Sequence, residues 1–231
     1  MILVDDGSTD DTVDTAFKAA AGDPRIRIEK TKKAEGAGGA RNTALGMARG
    51  RYIAFLDADD LWDPTKLKEQ IDAMQTHGWV FSWTSYRVQK VEPNGKLAST
   101  TTLRKAPTSA TRDDILSKKL AIGCLTAIYD ADSLGKTPMK TLPKRQDFVL
   151  WIELAKKAEK ANLPIGGLAE PLATYRLRKD SLSGNKISAA RWQWKALVQH
   201  CGVTKIQAVW LFISYAIRGI IDRTKIAMFK A

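Results

Sequence analysis

Three carboxylates in a run of four, Asp57, Asp59 and Asp60, close an apolar stretch from Tyr52 to Leu56. A continuous aromatic and branched run reads as a buried strand of an α/β sheet, and open sheets bind ligands beyond the carboxyl ends of their strands. Asp57 and Asp59 are two apart, so in extended backbone both side chains point to one side and can share one cation and one polar ligand. Carboxylate oxygens suit Mg²⁺ or Mn²⁺, and Mg²⁺ sites use one or two carboxylates with the phosphates of a substrate. The plain alternative is a pair of solvated turn residues. Asp5 and Asp6 follow the strand pattern Ile2-Leu3-Val4, where they can meet a ligand or cap a helix. Arg41 lies in the first turn of a helix expected over Ala40 to Ala48, behind Gly36, Gly38 and Gly39, a setting that favours an anion over an idle surface charge. Asp147 opens a helical run after Arg145-Gln146 and fits either an N-cap or a general base.

These residues need an alternating scaffold, and the chain supplies one. Ile2–Val4 is a strand, and Ser8, Thr9 or Asp10 can cap a helix starting near Asp11 with Val13, Phe17 and Ala20 on its apolar face. Gly22-Asp23-Pro24 ends it before a short strand at Ile26–Ile28. Asp63-Pro64 starts a helix running to about Thr76, and a hairpin over Tyr86 to Leu103 turns at Pro93-Asn94-Gly95. Ala121 to Tyr129 reads as another buried strand. Phe148, Ile152, Ala155 and Ala158 mark a strong helix, and a short strand lies near Ile165–Leu168. Residues 1–175 form the expected catalytic domain, and residues 176–231 a basic, amphipathic helical tail.

The chain has 231 residues, 44% hydrophobic, with a net charge of +12 and pI near 9.7. That predicts an anionic partner. From Arg176 onward there are eleven Lys or Arg against Asp180 and Asp222. In the tail Ile206, Val209, Trp210, Ile213, Ile217 and Ile220 share a helical face, with Gln207, Ser214, Arg218, Asp222 and Lys225 roughly opposite. Such a stripe can dock on the catalytic domain. With Trp192, Trp194, Trp210, Phe212 and Tyr215 among Lys and Arg, it also fits an interfacial helix on an anionic membrane surface. Cys124 and Cys201 lack metal-ligand spacing and read as buried thiols. Met1 runs straight into a strand, leaving no room for a signal peptide, and no apolar run reaches spanning length. The expected location is the cytoplasm, with peripheral attachment to the inner face of the cytoplasmic membrane.

Val4-Asp5-Asp6-Gly7-Ser8-Thr9-Asp10, Gly39-Ala40-Arg41-Asn42, Phe55-Leu56-Asp57-Ala58-Asp59-Asp60 and Arg145-Gln146-Asp147, in that order, resemble a family-2 inverting glycosyltransferase of the GT-A fold, a mixed α/β sheet flanked by helices. The tail, with Tyr175-Arg176-Leu177-Arg178, Ser181-Leu182-Ser183 and Arg191-Trp192-Gln193-Trp194-Lys195, is similar to bacterial members that build teichuronic acid, O-antigen or capsular polysaccharide. The resemblance implies a nucleotide-sugar donor, UDP-linked, and a lipid-linked saccharide acceptor. It implies that Asp5 or Asp6 accepts a hydrogen bond from uracil, that Arg41 contacts base or diphosphate, that Asp57 lies near the ribose and donor sugar, and that Asp59 ligates Mn²⁺ or Mg²⁺. Asp147 matches the catalytic base. Tyr175, Arg176 and Arg178 match a loop that closes over the diphosphate, although relatives often carry His where Arg178 stands. The family also has a strand ahead of the Asp-Asp-Gly-Ser turn, lying between the strands at Ile2–Val4 and Tyr52–Leu56. Without it those two would close up or leave open edges, and nucleotide affinity would weaken. An inactive remnant is therefore one alternative. A nucleotidyltransferase is another, though its usual Gly-rich opening is absent. The charge also allows a nucleic-acid-binding module, but no reader motif accompanies it, so nucleic acid is not expected as a partner.

Overall fold

The computed structural model describes residues 1–92, 94–178 and 186–228, the last eleven of these and 186–187 by backbone alone. Pro93 of the expected hairpin turn and Ser181-Leu182-Ser183 of the tail motif lie outside the described residues. In chain order the elements are β1 (Ile2–Asp5), α1 (Thr12–Ala20), β2 (Arg27–Lys30), α2 (Gly36–Met47), β3 (Tyr52–Ala54), β4 (Leu61–Trp62), α3 (Lys66–His77), β5 (Phe81–Val91), β6 (Leu97–Arg104), α4 (Arg112–Leu116), β7 (Ile128–Asp130), α5 (Ala131–Leu134), α6 (Gln146–Lys160), β8 (Ile165–Leu177), α7 (Lys186–His200) and α8 (Lys205–Met228).

Six strands make a mixed sheet in the order β3-β7-β5-β8-β4, with β6 paired to β5 as a hairpin. Only the β5–β8 pairing is parallel within it. β1 and β2 pair in parallel as a separate two-stranded sheet, so β1 and β3 do not close up on one another. Phe81 and Trp83 from β5 and Trp151 from α6 pack at the centre of the core, with Phe81 and Trp151 rings stacked 5.5 Å apart. Large rings at the contact between sheet and helix remove much apolar area from water per ordered side chain.

Several elements depart from their sequence signals. The apolar run from Ala121 to Tyr129 is buried but not extended: Gly123 opens a 3₁₀ turn at Cys124–Thr126 and only Ile128–Asp130 is strand. Burial alone does not distinguish the two conformations. β8 runs thirteen residues, far past Leu168 and through Pro171, because β5 beside it accommodates register shifts around Ser85. It also continues across the expected boundary at 175/176. The tail then rejoins the body, with Ala196, Leu197, Cys201 and Ala208 buried in the same core as Trp151. α2 starts at Gly36, four residues early, with its glycines inside the helix.

Candidate active site

Asp6 explains the early start of α2. Its carboxylate accepts the backbone N–H groups of Glu35 (3.0 Å) and Gly36 (2.7 Å) and the Thr31 hydroxyl (2.8 Å), which satisfies donors that a helix start leaves orphaned. The Glu35 amide foremost holds its carboxyl below the ordinary range. Asp5, buried at the end of β1, accepts the Ser8 N–H at 3.2 Å. Asp5 thus shapes the turn between β1 and α1, while Asp6 ties that turn to the start of α2.

α2 carries the positive charge of the site. The Arg41 Nη2 lies 2.5 Å from Asp57 Oδ1, and its Nη1 approaches Met139 Sδ at 4.0 Å. Burial works against the Arg41 charge, and the anionic groups around it, Asp57 and Asp147 among them, outweigh burial and raise its pKa above the ordinary value. Asn42 makes a two-way link to the loop ahead of α6, giving its Nδ2–H to Met139 O (2.9 Å) and accepting Met139 N–H (2.7 Å). A residue without a side chain is needed at Gly38, where a Cβ would stand 2.9 Å from Gln146 Cγ. This close approach of α2 to the start of α6 brings Arg41 toward Asp147.

Facing Arg41 is the acidic turn. β3 ends at Ala54, and Asp60 N–H returns to Asp57 O at 3.0 Å, so Asp57 to Asp60 form a turn rather than extended strand. The alternation argument from the sequence therefore does not hold here; the turn itself places the carboxylates. Asp60 points inward, 5% exposed, and its Oδ1 accepts the Arg176 backbone N–H at 3.0 Å. Burial, with the charges of Asp59 and Asp57 adding to it against the Arg176 hydrogen bond, pushes Asp60 up to about 7. The Arg176 guanidinium donates to the carbonyls of Asp59 and Ala58. It braces the turn from β8. Tyr175 sits one residue earlier on β8 opposite Val88, and Arg178 is exposed just beyond the strand.

Asp147 occupies the first turn of α6, accepting the Phe148 N–H at 2.8 Å. The cap position is taken by Arg145, in left-handed conformation. Asp147 opens on a cleft also lined by Lys118, Leu120, Ile122, Arg145 and Trp151. The buried Cys124 thiol lies between the two halves: after burial, which raises it, it feels Arg41, Asp57, Asp147 and Asp60. The charges of all four groups thus reach the same buried thiol. Among the described residues no three ligating side chains form a ready metal cage. With Asp57 paired to Arg41 and Asp60 turned inward to Arg176 N–H, Asp59 is the acid of the turn whose hard oxygens suit a divalent ion that takes its remaining ligands from a diphosphate.

Reasoning from sequence missed Asp60, Asn42, Arg145 and Lys118. Asp60 had a signal, as the third acid of the run. In the tail, the apolar stripe faces outward rather than docking on the body. Ile206, Val209, Trp210, Ile213 and Ile217 are exposed, Ile206 by 74% and Trp210 by 69%. α8 docks instead through the neighbouring face: Ala208 is buried, Phe212 packs on Trp194 and Tyr215, Ser214 Oγ donates to Ser117 O (3.2 Å), and Tyr215 Oη accepts from Arg145 Nη2 (3.1 Å).

The glycosyl transferase family 2 model matches residues 1–134. TuaG of Bacillus subtilis (strain 168), named for teichuronic acid biosynthesis, is 38% identical over 225 residues, covering 96% of this chain and 85% of TuaG. The Escherichia coli protein WfgD, named as a UDP-Glc:alpha-D-GlcNAc-diphosphoundecaprenol beta-1,3-glucosyltransferase, is 32% identical over 221 residues, covering 95% and 81%. Among solved structures, S. aureus TarS 1-349 in complex with UDP-GlcNAc aligns with a TM-score of 0.64 at 17% identity, over 91% of this chain and 60% of that one. This chain thus spans less than two thirds of that structural neighbour.

Proposed function

This chain belongs to glycosyl transferase family 2 and has a GT-A-type fold, and we propose that it moves a sugar from a UDP-linked donor to a lipid-linked saccharide in bacterial surface-polysaccharide synthesis, with inversion. The observation that carries this reading is the Arg41–Asp57 ion pair at 2.5 Å, on the helix that Gly38 brings against Gln146, the residue before Asp147. An acidic turn, a half-buried guanidinium and a half-buried carboxylate at a helix start are the parts needed to hold a nucleoside diphosphate and deprotonate an alcohol. The names of WfgD and of the TarS complex support the UDP-sugar class, and WfgD's name supports a lipid diphosphate acceptor.

In this account Arg41 holds Asp57 and presents positive charge to the diphosphate, its planar fork suiting phosphate oxygens. Asp5 is the candidate partner for uracil, since the Asp6 carboxylate is committed to α2. Asp59, beside Asp57, would hold Mn²⁺ or Mg²⁺, which when bound supplies Lewis-acid stabilisation to the departing UDP. Asp147 takes the proton of the acceptor hydroxyl. The hydroxyl oxygen bonds to the anomeric carbon as the bond to the UDP oxygen breaks on the opposite face, and the single displacement inverts the centre. Arg176 keeps the acidic turn fixed, while Tyr175 and exposed Arg178 stand at the rim for the departing diphosphate.

The outward stripe of α8, with exposed Arg191, Lys195 and Lys205 on the same helical pair, supports attachment to an anionic membrane surface where such an acceptor resides. No helix among the described residues is long and apolar enough to cross a membrane. The test is transfer from a panel of radiolabelled UDP-sugars to GlcNAc carried on a prenyl diphosphate, with the product anomer read by NMR. An inverted glycoside is expected; a retained one, or transfer of a nucleotidyl group, contradicts the assignment.

A further inference from the structure

The cleft at Asp147 carries more positive charge than proton abstraction requires. Lys118 and Arg145 both line it, and both hold left-handed backbone, with φ of 56° and 73°. Side chains other than glycine rarely stay there unless the surroundings enforce it, and such positions gather at functional sites. The two side chains converge on Tyr215 of α8. Lys118 Nζ lies 4.5 Å from its ring centroid and the Arg145 guanidinium carbon 5.6 Å, while Arg145 donates to its hydroxyl. The Tyr215 side chain thus holds the two cationic ends near each other at the cleft. Among the described residues no carboxylate is ion-paired with Arg145. A second, independent feature lies in the same cleft: the Trp151 indole N–H, in a residue 1% exposed, has no acceptor. Buried donors without partners are uncommon, and an anion in the cleft would supply the acceptor this one lacks.

We propose that Lys118, Arg145 and the Trp151 N–H form the subsite for the acceptor's diphosphate, with Tyr215 as the positioning residue that sets the two cations. This rests on the transferase reading above. The anion sits on the cationic side of the cleft because the Asp147 carboxylate repels it, and the sugar between them carries the hydroxyl that Asp147 deprotonates. Ile213 and Ile217 are exposed on the face of α8 turned away from Tyr215, an apolar surface on the same helix that suits the prenyl chain.

The full chain is titrated with GlcNAc on a short prenyl diphosphate and with the phosphate-free prenyl glycoside of GlcNAc. The wild type is expected to favour the diphosphate probe by about 10- to 100-fold, the range of two or three charge-assisted hydrogen bonds. Lys118→Gln combined with Arg145→Gln abolishes the preference. Arg145→Lys, which keeps the charge, retains most of it, and Lys119→Gln, removing a cation paired with Asp114 outside the cleft, leaves it intact. UDP affinity of the same samples reports on folding and on the donor site. A wild type that prefers the diphosphate probe without binding UDP supports this subsite and sinks the donor reading. A wild type that binds UDP but shows no preference, or a double variant that keeps it, overturns the subsite alone.

Discussion

Arg176 and Asp60 hold each other across the gap between β8 and the acidic turn: the Arg176 backbone N–H meets Asp60 Oδ1 at 3.0 Å, and the Arg176 guanidinium reaches back to the carbonyls of Ala58 and Asp59. One residue therefore fixes the turn by both main chain and side chain. Arg176→Ala is expected to weaken UDP binding about tenfold and to lower stability by about 1–2 kcal/mol, because two carbonyls lose charge-assisted donors. Calorimetry and urea unfolding check this; an unchanged UDP affinity would show that the turn needs no brace.

Asn42 should matter for rate rather than donor binding. Its two hydrogen bonds to Met139 hold the loop that leads into α6. Asn42→Ala is expected to cost about 1–3 kcal/mol of stability and to lower kcat about tenfold with UDP affinity nearly unchanged. Equal losses in kcat and UDP affinity would place Asn42 at the donor instead.

Asp147→Asn keeps the hydrogen bond from Phe148 and removes the basicity. Turnover should fall about 10²- to 10⁴-fold while UDP binding is retained. A variant with wild-type turnover would assign the base elsewhere.

Lys66 gives a pH signature unconnected with catalysis. It is wholly buried at the start of α3, donating to Gln70 Oε1 and lying 3.4 Å from Thr126 O, with its ammonium 5.2 Å from the Trp62 ring centroid. Burial pushes it down to about 7. Its unfolded value is about 10.4, so between these limits the unfolded chain binds more protons and wild-type stability rises with pH. Below pH 7 both states are protonated, and the full penalty of the buried charge remains. Lys66→Met is therefore expected to be more stable than wild type by about 1–3 kcal/mol at pH 6.5, the difference closing toward pH 10. Parallel stability curves for the two proteins would contradict this.

The parts of the site carried by local pattern were legible in the sequence. The apolar run ending in Asp57 to Asp60 announced a strand end, and the glycines ahead of Arg41 singled that residue out, although the close approach of Gly38 to Gln146 is seen only in the structure. What the tertiary structure decides was not legible. No local signal distinguishes Asp5, which accepts a hydrogen bond only from nearby Ser8, from Asp6, committed to the start of α2 through residues about thirty positions away. Left-handed Lys118 and Arg145 carry none of the residue types that advertise such backbone. The periodicity of α8 showed an apolar face, but both that face and its neighbour are apolar. Packing of Phe212 and Tyr215 chose the neighbour and left Trp210 outside.

Calorimetric titration of UDP with and without Mn²⁺, on the wild type and on Asp59→Ala, bears on the donor site at the acidic turn. The account predicts binding that strengthens markedly with Mn²⁺ in the wild type and loses that metal dependence in the variant. Metal-dependent UDP binding that survives in Asp59→Ala, or no UDP binding by folded wild type, would contradict it.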